Sequence, residues 1–302
     1  MSKQHTLSGS ASLSGRGLHT GKQVTVTFQP APQYHGVLFR RIDLPGKPIV
    51  RACGKNVFDT SRGTSIRDGE AEVRTIEHLM AALAGLEIDN VMVDIDAEET
   101  PILDGSSRLY VEALQQIEKV EQTAEREYFT VNETVEFSVP EKGIQIRIEP
   151  ANDFQMVVDV DYGTEILAKQ TADLKNIRDF VPEVYSCRTF VFLHELQFLI
   201  QNNLVRGGDL DNAIVFVAQM PSPEVLAQLG EFFHKSDLKV TENGILNNID
   251  LRFPNEPARH KLLDLVGDLY LLGKPIKGHI FATRPGHFAN TELVKKLVAN
   301  RG

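Results

Sequence analysis

Apolar and polar positions alternate along several stretches of the chain. "KQVTVTFQPA" (22–31) and "HGVLFRRIDL" (35–44) read as neighbouring antiparallel strands with Pro30 and Pro32 in the connection, because a strand sends successive side chains to opposite faces. "RTIEHLMAALAGLEI" (74–88) changes period. Leu79, Met80, Leu83 and Leu86 recur at helical spacing, Thr75 stands at the N-cap position and Gly85 lies near the end. "NVMVDIDA" (90–97) returns to a strand, and the polar "QQIEKVEQTAEREY" (115–128) reads as a helix tail entering a linker. Strand patterns resume in "FTVNETVEFSV", "KGIQIRIEPA" and "FQMVVDVDYG"; a helix over "RHKLLDLVGD" (259–268) and a strand over "PIKGHIFATR" close the chain.

Two of these stretches echo each other. "EHLMAALAGLEIDNVMVDI" and "RHKLLDLVGDLYLLGKPIKGHIFA" each place a histidine near the start of a helix, then glycine, then an apolar strand. The echo predicts an α+β fold of two domains of related topology, residues 1–122 and 128–302. Each would be a β-sheet packed on helices, with the helix layers facing each other and a site between them.

Within 259–268, His260, Asp264 and Asp268 recur every four residues and stack along one helix face, while Leu262, Leu263, Leu265, Val266 and Leu269 fill much of the rest. An imidazole and two carboxylates in a core require partners. A metal ion is one such partner and a buried hydrogen-bond network another, and spacing alone does not choose. His78 from the first helix would complete a two-histidine, one-carboxylate set with the open position of catalytic zinc. Glu77 beside it would then stand ready to take a proton from water, the alternative being an ordinary amphipathic helix start. "RPGHFAN" (284–290) puts His287 in a loop after a strand, a common place for catalytic groups. If it faces Asp268, the imidazolium is favoured; a surface histidine beside a solvated Asp268 fits the local sequence as well.

Three further stretches carry less. "HELQF" (194–198) begins like a zinc-protease signature but has Phe198 where the second histidine belongs, and "GRGLHTG" (15–21) is a glycine-rich turn without a phosphate-loop ending. "TFVFLHELQFLIQNNLVRGG" (189–208) concentrates Phe190, Phe192, Leu193, Leu196, Phe198, Leu199 and Ile200 before a Gly-Gly pair. This cluster is either core or the wall of an apolar channel.

At 302 residues the chain has room for two domains. Thirty-two basic against 41 acidic residues, a net charge of −9, argue against binding nucleic acid by neutralising phosphates. No window approaches the roughly 20 apolar residues needed to span a bilayer, and the N-terminal stretch has no secretory apolar core. Cys53 and Cys187 are the two cysteines, which fits a reduced compartment and excludes a cysteine-rich structural zinc site. The cytoplasm is the expected location.

Taken in order, "GRGLHTG", "RTIEHLMAALAGLEIDN", "PILDGSS", "SCRTFVF", "GGDLDNAIVF", "RHKLLDLVGDL" and "RPGHFAN" resemble the UDP-3-O-acyl-N-acetylglucosamine deacetylases through almost the whole chain. These are zinc enzymes of lipid A synthesis in Gram-negative bacteria. The resemblance implies hydrolysis of the N-acetyl group of UDP-3-O-(3-hydroxyacyl)-N-acetylglucosamine, giving acetate and the free amine. It implies Zn2+ on His78, His260 and Asp264, with Fe2+ able to use the same donors. It further implies Glu77 as general base, His287 with Asp268 as its partner, and Thr189 beside the reacting carbonyl oxygen. Lys261, Phe192 and Phe190 fall on substrate contacts, Phe192 near the uridine. The apolar stretch coincides with the family's β-α-β insert, near 189–217, which forms an acyl passage. "DTSRGTSI" (59–66) departs from the more apolar, cysteine-containing version of some members. Some relatives carry a further acyl-carrier-protein dehydratase domain. A monomer is expected. Two other classes compete: a metal-dependent amidase of another substrate, needing no apolar channel, and a non-catalytic sugar-nucleotide or lipid-binding module, needing no Glu77 and His287 beside an open metal position.

Overall fold

A computed structural model describes residues 2–202, 204–246 and 249–299. The first half forms β1 (Lys3–Leu7), β2 (Ala11–Arg16), β3 (Gln23–Pro30), β4 (Val37–Arg41), β5 (Ile49–Arg51), β6 (Val57–Asp59), β7 (Ser65–Asp68) and β8 (Ala71–Val73). Helix α1 (Glu77–Gly85), β9 (Val91–Ile95), α2 (Arg108–Gln115) and β10 (Lys119–Glu125) follow. The main sheet has the order β2-β3-β9-β4-β5. The strands 22–31 and 35–44 are therefore not partners. The more apolar β9 inserts between them, antiparallel to β3 and parallel to β4, and its Val91, Val93 and Ile95 are fully buried.

Two other local expectations are corrected. Residues 119–125 are not a linker but β10, antiparallel to β1, and most of its side chains are exposed or half-buried. A two-stranded ribbon with so little apolar surface reads as linker in sequence. Thr75 is not the N-cap of α1. It takes a left-handed φ of 57° and turns its hydroxyl to Glu99, leaving Ile76 at the cap position with its N–H on the Thr64 carbonyl.

The second half contains β11 (Phe129–Thr130), β12 (Val135–Val139), β13 (Ile144–Glu149), β14 (Phe154–Val160), β15 (Gln170–Leu174) and α3 (Phe180–Glu183). Then come β16 (Phe190–Phe192), α4 (Leu193–Gln201), β17 (Ile214–Phe216), α5 (Pro223–Phe232), α6 (Glu256–Leu269), β18 (Ile276–Thr283) and α7 (His287–Ala299). The sheet order is β12-β13-β18-β14-β15, with β11 beside β18. In both halves the strand after the histidine-bearing helix is central and has a long parallel and a long antiparallel neighbour, β18 taking the short parallel β11 in addition. The sequence echo is an echo of topology. β16 and β17 run parallel through the α4 crossover, a β-α-β unit.

The two helix layers meet where α1 packs on α6. Every residue of α1 is buried, as are most of α6, so neither helix has a solvent face for its polar side chains. The approach is close: a Cβ on Gly267 would lie 2.1 Å from the Glu77 carbonyl oxygen, which only glycine avoids. The α+β class and the facing helix layers are as expected. Among the described residues no helix is long and apolar enough to cross a membrane.

Candidate metal centre and active site

The contact of α1 with α6 brings His78 to His260 and Asp264. Their rings meet edge to face with centroids 5.1 Å apart. Asp264 Oδ1 lies 3.5 Å from His78 Nε2 and 3.4 Å from His260 Nε2, and the three donor atoms fall within 4.8 Å of one another. No other group of three or more such side chains clusters among the described residues. Each ligand is held from behind. His260 Nδ1 faces the Cys187 carbonyl at 3.1 Å, leaving Nε2 for the centre, and the His78 carbonyl accepts from Ser107 Oγ at 2.7 Å. The Cys187 carbonyl is itself placed by the buried pair of Arg188 with Glu256, 2.9 Å apart, at the start of α6.

The protonation states suit a metal. Burial pushes the His260 pKa down to about 3, so the ring is neutral. Burial pushes the Asp264 carboxyl up, but the groups around it, the Lys261 ammonium and the His78 imidazole among them, outweigh it and hold the group well below its ordinary range. Asp264 Oδ1 is buried and has no hydrogen-bond partner among the described residues. A buried carboxylate oxygen without a donor, facing two imidazole nitrogens, is what a cation would satisfy. Two imidazoles and one carboxylate fit a divalent transition metal with an open position.

Glu77 and His287 flank this cluster. Glu77 is buried, and burial raises its pKa. Its Oε2 accepts the Thr64 N–H at 2.9 Å, and Oε1 lies 3.9 Å from His287 Nε2. His287 begins α7 rather than sitting in a free loop, and its Nδ1 lies 3.0 Å from Asp268 Oδ2. Burial pushes the imidazole down, yet Asp268 and Glu77 outweigh it and raise the pKa to about 9, so the ring is cationic at neutral pH. Asp268 also accepts from Asn290 Nδ2 at 2.8 Å and Thr64 Oγ1 at 2.5 Å.

These groups open onto one cavity of about 640 Å³, lined by Glu77, His78, His260, Asp264 and His287 and by Thr189, Phe190 and Lys261. Thr189 is pinned by its N–H to the Gly105 carbonyl at 2.8 Å and by the Ile214 N–H to its own carbonyl at 2.9 Å. Lys261 Nζ donates to Asp264 Oδ2 at 2.9 Å and lies 5.6 Å from the Phe190 ring centre. Phe192 does not line the cavity; it is buried in an aromatic cluster with Phe190, Phe216 and Tyr162. His194 and Glu195, from the incomplete protease signature, line the wall away from the metal cluster. The "GRGLHTG" turn does reach the site through His19, whose backbone and neighbour Thr20 donate to the buried Glu99 carboxylate.

Sequence reasoning missed Thr64, Asn290 and Glu99. Thr64 is fully buried and touches Glu77, Asp268 and His287. No local signal marks it, since these partners lie on three separate helices, α1, α6 and α7; only the small-residue run Gly63-Thr64-Ser65 hints at a tight passage.

These features define an α+β protein of two similarly wound halves with a two-histidine, one-carboxylate centre between their helices. The family model described as LpxC, UDP-3-O-acyl N-acetylglycosamine deacetylase, matches residues 4–235 and 233–299, and the chain belongs to this family. It is 42% identical over 297 residues to a protein of Porphyromonas gingivalis named bifunctional enzyme LpxC/FabZ, covering 98% of this chain and 64% of that one. A protein of the same name from Bacteroides thetaiotaomicron is 43% identical over 297 residues, again 98% and 64%. The UDP-3-O-acyl-N-acetylglucosamine deacetylase of Myxococcus xanthus is 40% identical over 299 residues, 98% of this chain and 87% of its own. The chain thus spans about 64% of the length of the bifunctional relatives.

Proposed function

We propose that the chain hydrolyses the N-acetyl group of UDP-3-O-(3-hydroxyacyl)-N-acetylglucosamine, the deacetylation of lipid A synthesis. The observation that carries this reading is a single cavity holding Glu77, a cationic His287 and the His78, His260, Asp264 cluster, continuous with an apolar wall from α4 and β17. The three ligands would hold Zn2+, or Fe2+ in the same donors, and the ion when bound supplies Lewis acidity to the amide carbonyl.

The chain's own residues do the rest. Glu77, buried and with a raised pKa, accepts the proton of the attacking water as the new C–O bond forms. Cationic His287 and the Thr189 hydroxyl face the charge that develops on the carbonyl oxygen. The C–N bond breaks as the amine nitrogen takes a proton from Glu77 or His287, releasing acetate. Lys261 meets the substrate's negative charge, Phe190 packs on the sugar nucleotide, and Phe192 backs the uridine side through the aromatic cluster. Each acyl methylene buried along the apolar wall contributes roughly 0.8 kcal/mol before ordering costs.

Acetate release from the acylated sugar nucleotide, assayed with chelator and then with zinc add-back, tests the reading. Release that chelator abolishes and zinc restores is expected; no release from folded, zinc-loaded protein would overturn it in favour of a binding module. We place the activity in the cytoplasm, which the two unpaired cysteines support, and cell fractionation checks it.

A further inference from the structure

The apolar side of the cavity is not walled by the β-α-β unit alone. Leu196 and Leu199 of α4, Val205 and Leu210 of the next loop and Val215 of β17 form its wall. Between β17 and α6, one described side chain lines the cavity: Phe233, the C-cap residue that follows α5.

Its place is fixed on several sides. The Phe233 N–H donates to the Leu229 carbonyl at 2.9 Å, and the ring meets Phe232 edge to face at 4.8 Å. It packs on the cluster that contains Leu196, Val205, Leu210, Val215 and Leu229. Two residues on, the Lys235 N–H donates to the Gly230 carbonyl at 2.9 Å, and the Lys235 ammonium pairs with Asp211 at 2.8 Å. That pair ties the end of α5 to the loop carrying Leu210. A Cβ on Gly230 would lie 2.7 Å from the Lys235 oxygen, so the turn is as tight as the backbone allows. The two segments matched by the family model meet at residues 233–235, so this wall lies where the pairing of the chain with its family is interrupted.

We propose that Phe233 is the stop of the acyl passage and sets the longest 3-O-acyl chain the enzyme accepts, an inference that rests on the deacetylase reading above. Methylenes short of the ring are buried and each raises kcat/KM about fourfold, while methylenes beyond it meet the ring and gain nothing. The experiment measures kcat/KM for acetate release across a homologous series of saturated 3-O-acyl substrates, using the wild type, Phe233→Ala, Phe233→Leu and Phe233→Trp. The wild type should climb to a cut-off and then level off. Phe233→Ala should move the cut-off two or more methylenes longer, Phe233→Leu by less, and Phe233→Trp shorter; Phe233→Leu supplies the comparison if the alanine variant fails to fold. The position of the cut-off, not the absolute rate, is the readout. An identical cut-off in all folded variants, or no cut-off in the wild type, overturns the assignment of Phe233 while leaving the deacetylase reading intact. No acetate from any substrate with the wild type overturns the deacetylase reading itself.

Discussion

Asp268→Asn removes a charge from the site while keeping its shape. Asp268 accepts from His287 Nδ1 at 3.0 Å, Asn290 Nδ2 at 2.8 Å and Thr64 Oγ1 at 2.5 Å. An asparagine oxygen can serve His287 and Asn290, while its NH2 group turns to the Thr64 hydroxyl, which is able to accept. In the wild type, burial pushes the His287 pKa down, but Asp268 leads the groups that lift it from 6.5 to about 9. The rise is worth on the order of 3 kcal/mol of preference for the imidazolium. The side chain is 15% exposed, so solvent screens little of it. Because the folded pKa lies above the unfolded one, this stabilisation is complete below pH 6.5 and is lost as the pH climbs through about 9. In the variant only Glu77, 3.9 Å away, and Asp264, 4.0 Å away, oppose burial. NMR titration of His287 in the metal-free protein should therefore show a pKa well below that of the wild type. Denaturant unfolding should show the stability difference between acid and alkaline solution shrinking. A variant histidine still titrating near 9 would refute the assignment of Asp268 as the group that holds His287 charged.

Glu77→Gln should cut acetate release by about 10²- to 10⁴-fold with metal content unchanged, and normal turnover would clear Glu77 of the base role. Asp264→Ala should lose bound metal, measured by elemental analysis, and activity with it; full occupancy in that variant would refute the ligand set. Gly267→Ala drives a methyl group into the Glu77 carbonyl, 2.1 Å away, and should cost about 1–3 kcal/mol or more in unfolding free energy. An unchanged melting temperature in that variant would mean that α1 and α6 can part freely.

The helix that carries His260 was legible because its polar positions recur at a four-residue spacing inside an otherwise apolar pattern, and α6 encloses the whole stretch. The strands at the centres of the sheets were legible for the same reason, since β9 and β18 each bury an apolar face. β10 was not, because an edge ribbon needs hydrogen bonds to β1 more than it needs apolar side chains. Nor was the start of α1: the Thr75 hydroxyl is drawn off by Glu99, a tertiary partner that outweighs the local capping preference. Thr64 and Asn290 were invisible for a deeper reason. Their role is to complete the shell of Asp268, and that shell exists only once α6, α7 and the loop before β7 have met.

The candidate ligands come from helices in opposite halves of the chain, His78 from α1 and His260 with Asp264 from α6. Such a set has no counterpart in the unfolded protein. An ion held there acts as a reversible cross-link whose strength follows the surrounding metal concentration. At a hundredfold excess over its Kd it adds about 2.7 kcal/mol to the folded state. Melting curves recorded across buffered metal concentrations then give the affinity of the centre directly, for each candidate ion, with no substrate in the tube.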